Sequence, residues 1–348
     1  MTQAVFNFAA HGQRADRAPT LRRVPPAPAP GGAAPHAGGP ADPGEAIGFD
    51  HARFGLVPPA PCLWPGHPVR EGWERGRRLV GRRTRPATLS VRRWLGLRLA
   101  AWTRDEAFDD HQITPQVLRS LETAAACPVS GRALGEDAEV LPADAARGWV
   151  AGNLVLLSPE VAALWRTLDL EGARAALVRA EAAEEPGTPM EGLSLRHWRR
   201  LVTLKSLATP LPHAEATRIP LHALPPNRLR LVNPIQELQV LLTLQLATPG
   251  WGTRARLVAE SLPQALRGDF NLFFHSLLAQ ALRVTAGPAR AEMREALASA
   301  WGDAIVQRRW LRLADHVDAA LAARLVDRLV HEPLPGLVVV RHDAAASE

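Results

Sequence analysis

The polar side chains that are suited to chemistry lie in one stretch that ends in a glycine-containing turn and an apolar run. Cys127 stands three residues before Ser130, which leaves one thiolate where a zinc-binding pair needs two. Asp144 precedes the turn and Asn153 follows it, and their oxygens suit a hard divalent cation. Two oxygen ligands do not make a metal site by themselves. The stretch therefore permits metal-assisted hydrolysis only if further ligands and a general base are supplied.

Helix and strand signals on both sides of these residues predict how they are positioned. Thr114 and Pro115 provide an N-cap followed by proline at the first helical position, so we predict a helix that ends near Ala126. Short strands are predicted over 139–141 and 152–157. Ser158-Pro159 predicts the start of another helix, whose apolar face is formed by Val161, Leu164, Trp165 and Leu168. The elements predict a unit in the order strand, loop, strand and helix.

Residues 113–168 resemble the HNH endonuclease module. Arg147-Gly148-Trp149, followed by Gly152-Asn153 and an apolar strand, is similar to the family's turn between its two strands. Cys127-Pro128-Val129-Ser130-Gly131 is similar to the zinc knuckle that often opens the module. The resemblance implies a ββα-metal fold, a histidine base and metal ligand at the end of the first strand, and four thiolates in two C-x-x-C pairs.

The sequence departs from that family at the residues that perform its chemistry. The end of the predicted first strand reads Val140-Leu141-Pro142-Ala143, without histidine or aspartate. The second cysteine pair is replaced by Ser158 and Val161, so one thiolate of four is left. The resemblance thus implies a degenerate, inactive module with no cofactor and no metal. The alternative is an active endonuclease that uses a divalent metal such as Mg²⁺, with His111, Asp144 and Asn153 as its catalytic residues.

Charge is strongly segregated along the chain. Residues 1–104 contain 16 arginines and 6 acidic residues, whereas 105–187 contain 6 arginines and 15 acidic residues. Segregation of this kind favours an oriented surface for a charged partner, or self-association of the two parts. The densest cluster, Val69–Arg104, predicts either a solvated helix face or a surface that contacts nucleic-acid phosphates. On the second interpretation the contacts are Arg85, Arg92, Arg93, Arg98 and Arg104.

Composition and periodicity predict four segments. Residues 1–48 are rich in proline, alanine and glycine, and we expect a disordered arm. Residues 49–187 contain the arginine-rich helix and the HNH-like module, and 188–336 are predicted to form an all-α domain. Residues 337–348 are predicted to form a short strand and a tail. The expected fold class is α+β and predominantly α-helical.

These observations lead to one functional hypothesis and two alternatives. We expect a cytoplasmic protein that binds nucleic acid, DNA in preference to RNA, and that does not cleave it. No run reaches the roughly 18 apolar residues of a membrane helix, so we expect no membrane partner. The first alternative is the active endonuclease. The second alternative is a helical scaffold that binds protein partners through its C-terminal domain.

Overall fold

The computed structural model describes residues 42–182, 190–247, 250–284 and 290–331, and it is predominantly helical. These residues form fourteen α-helices and one two-stranded antiparallel sheet, which confirms the predicted mainly helical content with a small sheet. Within the described ranges, no helix combines the length and the apolar character that crossing a membrane requires. Most of the predicted N-terminal arm, 1–41, and the predicted strand and tail at 337–348 lie outside the described residues.

Contacts within the chain divide it into two units. The arginine-rich unit comprises described residues 42–123 and 145–151. Polar residues at 42, 67, 88 and 114 cap its four helices, and three of these caps are followed directly by proline. The helices are α1 Pro43–Arg53, α2 Pro68–Val80, α3 Leu89–Thr103 and α4 Pro115–Leu121, with 3-10 turns at Ala60–Cys62 and Ala145–Arg147.

Helix α1 corrects a prediction, because it replaces the end of the expected disordered arm. Its glycines, which had suggested disorder, allow α1 and α2 to pack backbone to backbone. A Cβ atom added at Gly48 would lie 1.9 Å from the Val69 carbonyl oxygen. One added at Gly72 would lie 1.9 Å from the Glu45 carbonyl oxygen. Glycine is therefore required here for close approach, a role that composition alone does not reveal.

The helical unit comprises described residues 124–144 and those from 152 onward. It contains the sheet, in which β1 Glu139–Pro142 pairs antiparallel with β2 Leu154–Leu157 in a register that places Val140 opposite Leu156. The predicted order of strand, loop, strand and helix is confirmed. The helices are α5 Pro159–Thr167, α6 Leu170–Glu181, α7 Leu195–Ala208, α8 His213–Arg218, α9 Pro234–Leu244, α10 Trp251–Ser261, α11 Gln264–Val284, α12 Arg290–Ala300, α13 Ala304–Ala314 and α14 Ala319–His331.

One apolar core joins the hairpin to the C-terminal helices. Every residue of α9 from Ile235 to Leu244 is buried, so this helix is central, as its apolar character predicts. Leu141, Val155 and Trp165 belong to the same buried cluster as α9. A two-stranded hairpin is too small to form a stable core alone, so it shares one with its neighbours. The predicted boundary at residue 188 therefore falls inside one unit.

Polar caps and proline separate the C-terminal helices. The Asp318 side chain accepts a hydrogen bond from the Leu321 amide, so a new helix, α14, begins after α13. The short helix α8 lies between α7 and α9. Helix α10 ends at Ser261, since Leu262-Pro263 separates it from α11.

Candidate functional site

Arg98 is buried inside the arginine-rich unit, which corrects its predicted role at a phosphate-binding surface. Only 5 % of its side chain is exposed. Its guanidinium donates to Asp50 at 2.6 Å and to Asp110 at 2.9 Å, and it lies over the Trp94 ring at 4.4 Å. A buried guanidinium needs such partners because removing its charge from water costs several kcal/mol. Arg98 therefore ties α1 to α3 and the turn after it.

Arg93 and Arg104 are engaged by carboxylates. Arg93 donates to Glu122 at 2.9 Å, and the same carboxylate accepts from the Ser90 hydroxyl at 2.6 Å. Arg104 donates to Glu106 at 2.7 Å. The Arg104 hydrogen bond and one from the Trp149 indole lower the pKa of the Glu106 carboxyl. These two arginines thus stabilise the fold, and their charges are largely neutralised locally.

Six other arginines form what we call the arginine strip, which runs from the second half of α2 through the following loop to the first turn of α3. All six are exposed, and none forms an ion pair with another residue that the structure describes. Two of them, Arg85 and Arg92, were predicted as phosphate contacts. The other four could have been recognised in the sequence, because no acidic residue lies between Glu74 and Asp105. The strip consists of Arg77, Arg78, Arg82, Arg83, Arg85 and Arg92.

The loop at the centre of the arginine strip projects into solvent. Helix α2 ends at Gly81, whose φ of +57° allows the chain to turn, and α3 begins only after the N-cap Thr88. Residues 81–86 are all exposed. On α2, the Arg77 guanidinium lies 4.8 Å from the centre of the Trp73 ring. The strip therefore combines a cation stacked on an aromatic ring with an exposed basic loop.

In the helical unit, the segment that resembles a zinc knuckle folds into a tight turn. Ala126 and Ala133 form an antiparallel bridge, and the Cys127 amide donates to the Arg132 carbonyl at 2.8 Å. The Gly131 amide donates back to the Cys127 carbonyl at 2.9 Å. Gly131 has a φ of +72°, which glycine adopts without strain. This geometry fixes the direction of the Cys127 side chain.

Three of the four positions that the resemblance assigns to zinc ligands converge in space. The Ser130 and Ser158 hydroxyls lie 3.2 Å apart, and both hydrogen-bond with the buried Cys127 thiol. Burial alone would raise the pKa of this thiol, but the hydrogen bonds from both serines outweigh burial and lower it. Val161, the fourth position, is fully buried. Hydrogen bonds and apolar packing therefore connect the Cys127 turn to the start of α5, a connection that four thiolates and a metal would otherwise make.

The structure brings Asp144 and Asn153 together, but through the backbone of Asp144. The fully buried Asn153 side chain accepts from the Asp144 amide at 3.0 Å and donates to the Asp144 carbonyl at 2.8 Å. Asn153 thus closes the loop between β1 and β2. His111 belongs to the arginine-rich unit, where it is exposed in a turn. Among the described residues, no group of three or more His, Cys, Asp or Glu side chains is placed to hold a metal ion.

Lys205 on α7 is a buried cation, and the hydrophobic periodicity of the sequence did not predict its burial. The Trp165 indole donates to the Pro142 carbonyl at 3.0 Å and so connects α5 to the end of β1. The Lys205 ammonium donates to the Trp165 carbonyl at 3.1 Å and lies 4.1 Å from the centre of its ring. Burial lowers the pKa of Lys205 to about 8, although Asp169 and Asp144 oppose this shift. Lys205 therefore stabilises the contact between α5 and the end of β1 through its interactions with Trp165.

Comparisons with known proteins add no relative to this description. No family model, no curated protein and no solved structure matches the chain. The resemblance to the HNH module stays a prediction that is carried by the residues around Cys127, Asp144 and Asn153.

The lowered pKa of Lys205 predicts how stability depends on pH. Between about pH 8 and 10.5 the unfolded chain holds a proton that the folded chain has lost, so the free energy of unfolding rises with pH. From pH 8 to 10.5 the wild type should gain about 1–3 kcal/mol relative to Lys205→Met. Denaturant titrations at several pH values measure this difference. The chain has no tyrosine and no other lysine, which keeps the comparison simple. Parallel pH profiles for the two proteins would contradict the prediction.

The convergence at Cys127 predicts that a metal site can be rebuilt. Thiolates that share a zinc ion in a tetrahedron lie about 2.3 Å from it and so about 3.8 Å from one another. The two serine hydroxyls, 3.2 Å apart, already approach this separation. We expect Ser130→Cys/Ser158→Cys/Val161→Cys to bind one Co²⁺ or Zn²⁺ per chain, with the visible absorption of tetrahedral Co²⁺ thiolate. The double variant that keeps Val161 is the matched control and should bind more weakly. A triple variant that folds without binding metal would refute the correspondence of positions.

Proposed function

We propose that this protein binds nucleic acid through the arginine strip and that its HNH-like module is a structural element without cleavage activity. The observation that carries the proposal is that the arginines of the Val69–Arg104 cluster fall into a paired group and an unpaired, exposed group. Carboxylates engage several of its arginines, and the six strip residues are exposed and form no ion pair within the described residues. Such charges gain free energy from phosphates because binding releases condensed counterions.

The proposed lack of cleavage is supported by how the hairpin uses its polar groups. Hydrolysis of a phosphodiester needs a positioned base and a cation that stabilises charge in the transition state. The end of β1 presents Leu141, which is buried, and Pro142, whose carbonyl accepts from the Trp165 indole. The Asn153 carboxamide is used to close the loop onto Asp144. These contacts favour a braced hairpin over a metal centre.

The arginine strip makes a prediction that separates it from the other arginines. The variant Arg82→Gln/Arg83→Gln/Arg85→Gln should weaken binding to DNA and RNA oligonucleotides. It should also reduce the slope of log Kd against log salt by about 2–3, since each lost phosphate contact contributes slightly less than one. Fluorescence anisotropy over a range of NaCl concentrations measures both quantities.

The matched control removes three arginines that are already paired. Arg70, Arg75 and Arg104 bond to Glu74, Glu45 and Glu106, so replacing them with glutamine changes the net charge equally. The control should keep most of the wild-type salt slope. Equal losses in the two triple variants would show that only net charge matters. Wild-type protein that binds no nucleic acid would instead favour the helical scaffold.

The second prediction concerns cleavage. With Mg²⁺ or Mn²⁺, we expect the wild type to nick plasmid and to cut single-stranded DNA no faster than Asp144→Ala purified in parallel. The reason is that the base and the first ligand expected at the end of β1 are replaced by apolar residues. Metal-dependent cleavage that disappears in both Asp144→Ala and His111→Ala would establish an active endonuclease and overturn this half of the proposal.

A further inference from the structure

A strained turn in the helical unit holds an arginine where glycine is expected. The Leu229 amide donates to the Pro226 carbonyl at 3.3 Å, which makes residues 226–229 a β-turn. Arg228 occupies the third position with a φ of +62°. Turns of this geometry favour glycine or asparagine there, and a bulkier residue costs about 1 kcal/mol or more. Strain of this kind clusters at active sites and ligand-binding sites.

No acidic residue that the structure describes forms an ion pair with the Arg228 guanidinium. Its side chain is half-buried, and its Nε is shielded from solvent without a hydrogen-bond partner. Burial lowers its pKa, and it forms no ion pair with any described residue. Other buried arginines of this unit differ, because Arg200 pairs with Glu295 and Arg254 donates to the Gln245 carbonyl at 2.6 and 2.9 Å. An unsatisfied buried donor of this type is commonly completed by a bound water or ion.

A second arginine is fixed beside the first. Leu229 and Leu231 are fully buried, whereas the side chains of Arg228 and Arg230 are half-buried. The Arg230 amide donates to the Gly152 carbonyl at 2.7 Å. Gly152 has a φ of +83°, and a Cβ atom added there would lie 2.9 Å from the Arg230 Cβ. The two arginines are thereby held against the turn that leads into β2.

We propose that Arg228 and Arg230 form an anion site that binds a phosphate group of a nucleic-acid backbone at the start of β2. A phosphate offers planar guanidinium groups bidentate acceptors and would supply the partner that the Arg228 Nε lacks. The free energy of phosphate binding would offset the free-energy cost of the strained backbone at Arg228. The identity of the phosphate source rests on the proposed function, whereas the site itself lies outside the arginine strip.

The first experiment tests the anion site with inorganic phosphate alone. We expect phosphate to raise the Tm of the wild type by about 2 °C over chloride at equal ionic strength, since a ligand of the folded state stabilises it. The response should vanish in Arg228→Gln/Arg230→Gln. It should persist in Arg308→Gln/Arg324→Gln, which removes the same charge from exposed positions of the same unit.

A second variant distinguishes a binding role from a structural one. Arg228→Gly removes both the strain and the partly desolvated charge, so without ligand its Tm should exceed that of the wild type by about 2 °C. Its phosphate response should nevertheless be lost. A purely structural arginine would give the opposite result, a lower Tm with an unchanged response to phosphate.

Oligonucleotide binding to the same proteins separates this proposal from the preceding one. Arg228→Gln/Arg230→Gln should bind about tenfold more weakly than the wild type, while the Arg308/Arg324 control should bind as the wild type does. A phosphate response without oligonucleotide binding would keep the anion site and reject the nucleic-acid function. Wild-type binding that is equal in the double variant and the control, with equal phosphate responses, would overturn the anion site and leave the proposed function intact.

Discussion

A guanidinium that is buried away from water needs a charged or hydrogen-bonding partner, and the rest of the structure depends on this constraint. It separates the arginines that are buried and paired from those that stay exposed. Arg98 is the clearest case, since two carboxylates and an aromatic ring enclose it and connect three segments of the arginine-rich unit. Arg93 satisfies the same constraint with Glu122. Asp50, Asp110 and Glu122 pair with these arginines and not with the arginine strip. The strip is basic because its sequence contains no acidic residue between Glu74 and Asp105.

The helical unit meets the same constraint with different partners. Arg254 uses a backbone carbonyl, and Lys205 uses a carbonyl together with the face of Trp165. Lys205 is tolerated at the cost of a lowered pKa, because Asp144 and Asp169 offset only part of its desolvation. Arg228 is the exception, and its unfilled donor is the reason for inferring a ligand there. The same rule therefore accounts for the contacts of Lys205 and Arg254 and sets Arg228 apart from them.

Hydrogen bonds hold the Cys127 turn to the start of α5, at positions where the sequence resemblance predicts metal ligands. A structural zinc ion fixes a loop by holding four side chains at once. Here the Cys127, Ser130 and Ser158 side chains hold one another, and Asn153 secures the loop at Asp144. Because such bonds are individually weak, the hairpin also depends on the apolar core that it shares with α9. This dependence explains why the sheet and the C-terminal helices form one unit.

The sequence by itself determined the elements whose signals are local. Caps followed by proline, as at Thr114-Pro115 and Ser158-Pro159, predicted where helices begin, and the apolar run after Asn153 predicted β2. Such signals survive in a single sequence because capping and turn conformation involve residues only a few positions apart.

Only the tertiary structure decided the features that depend on distant partners. The sequence could not separate Arg92, which is exposed, from Arg98, which is buried, because the difference lies in Asp50 and Asp110. It suggested disorder for the glycines of α1, because their use requires a second helix within contact distance. Burial and charge pairing are set by which segments meet in space, and that information is spread over the whole chain.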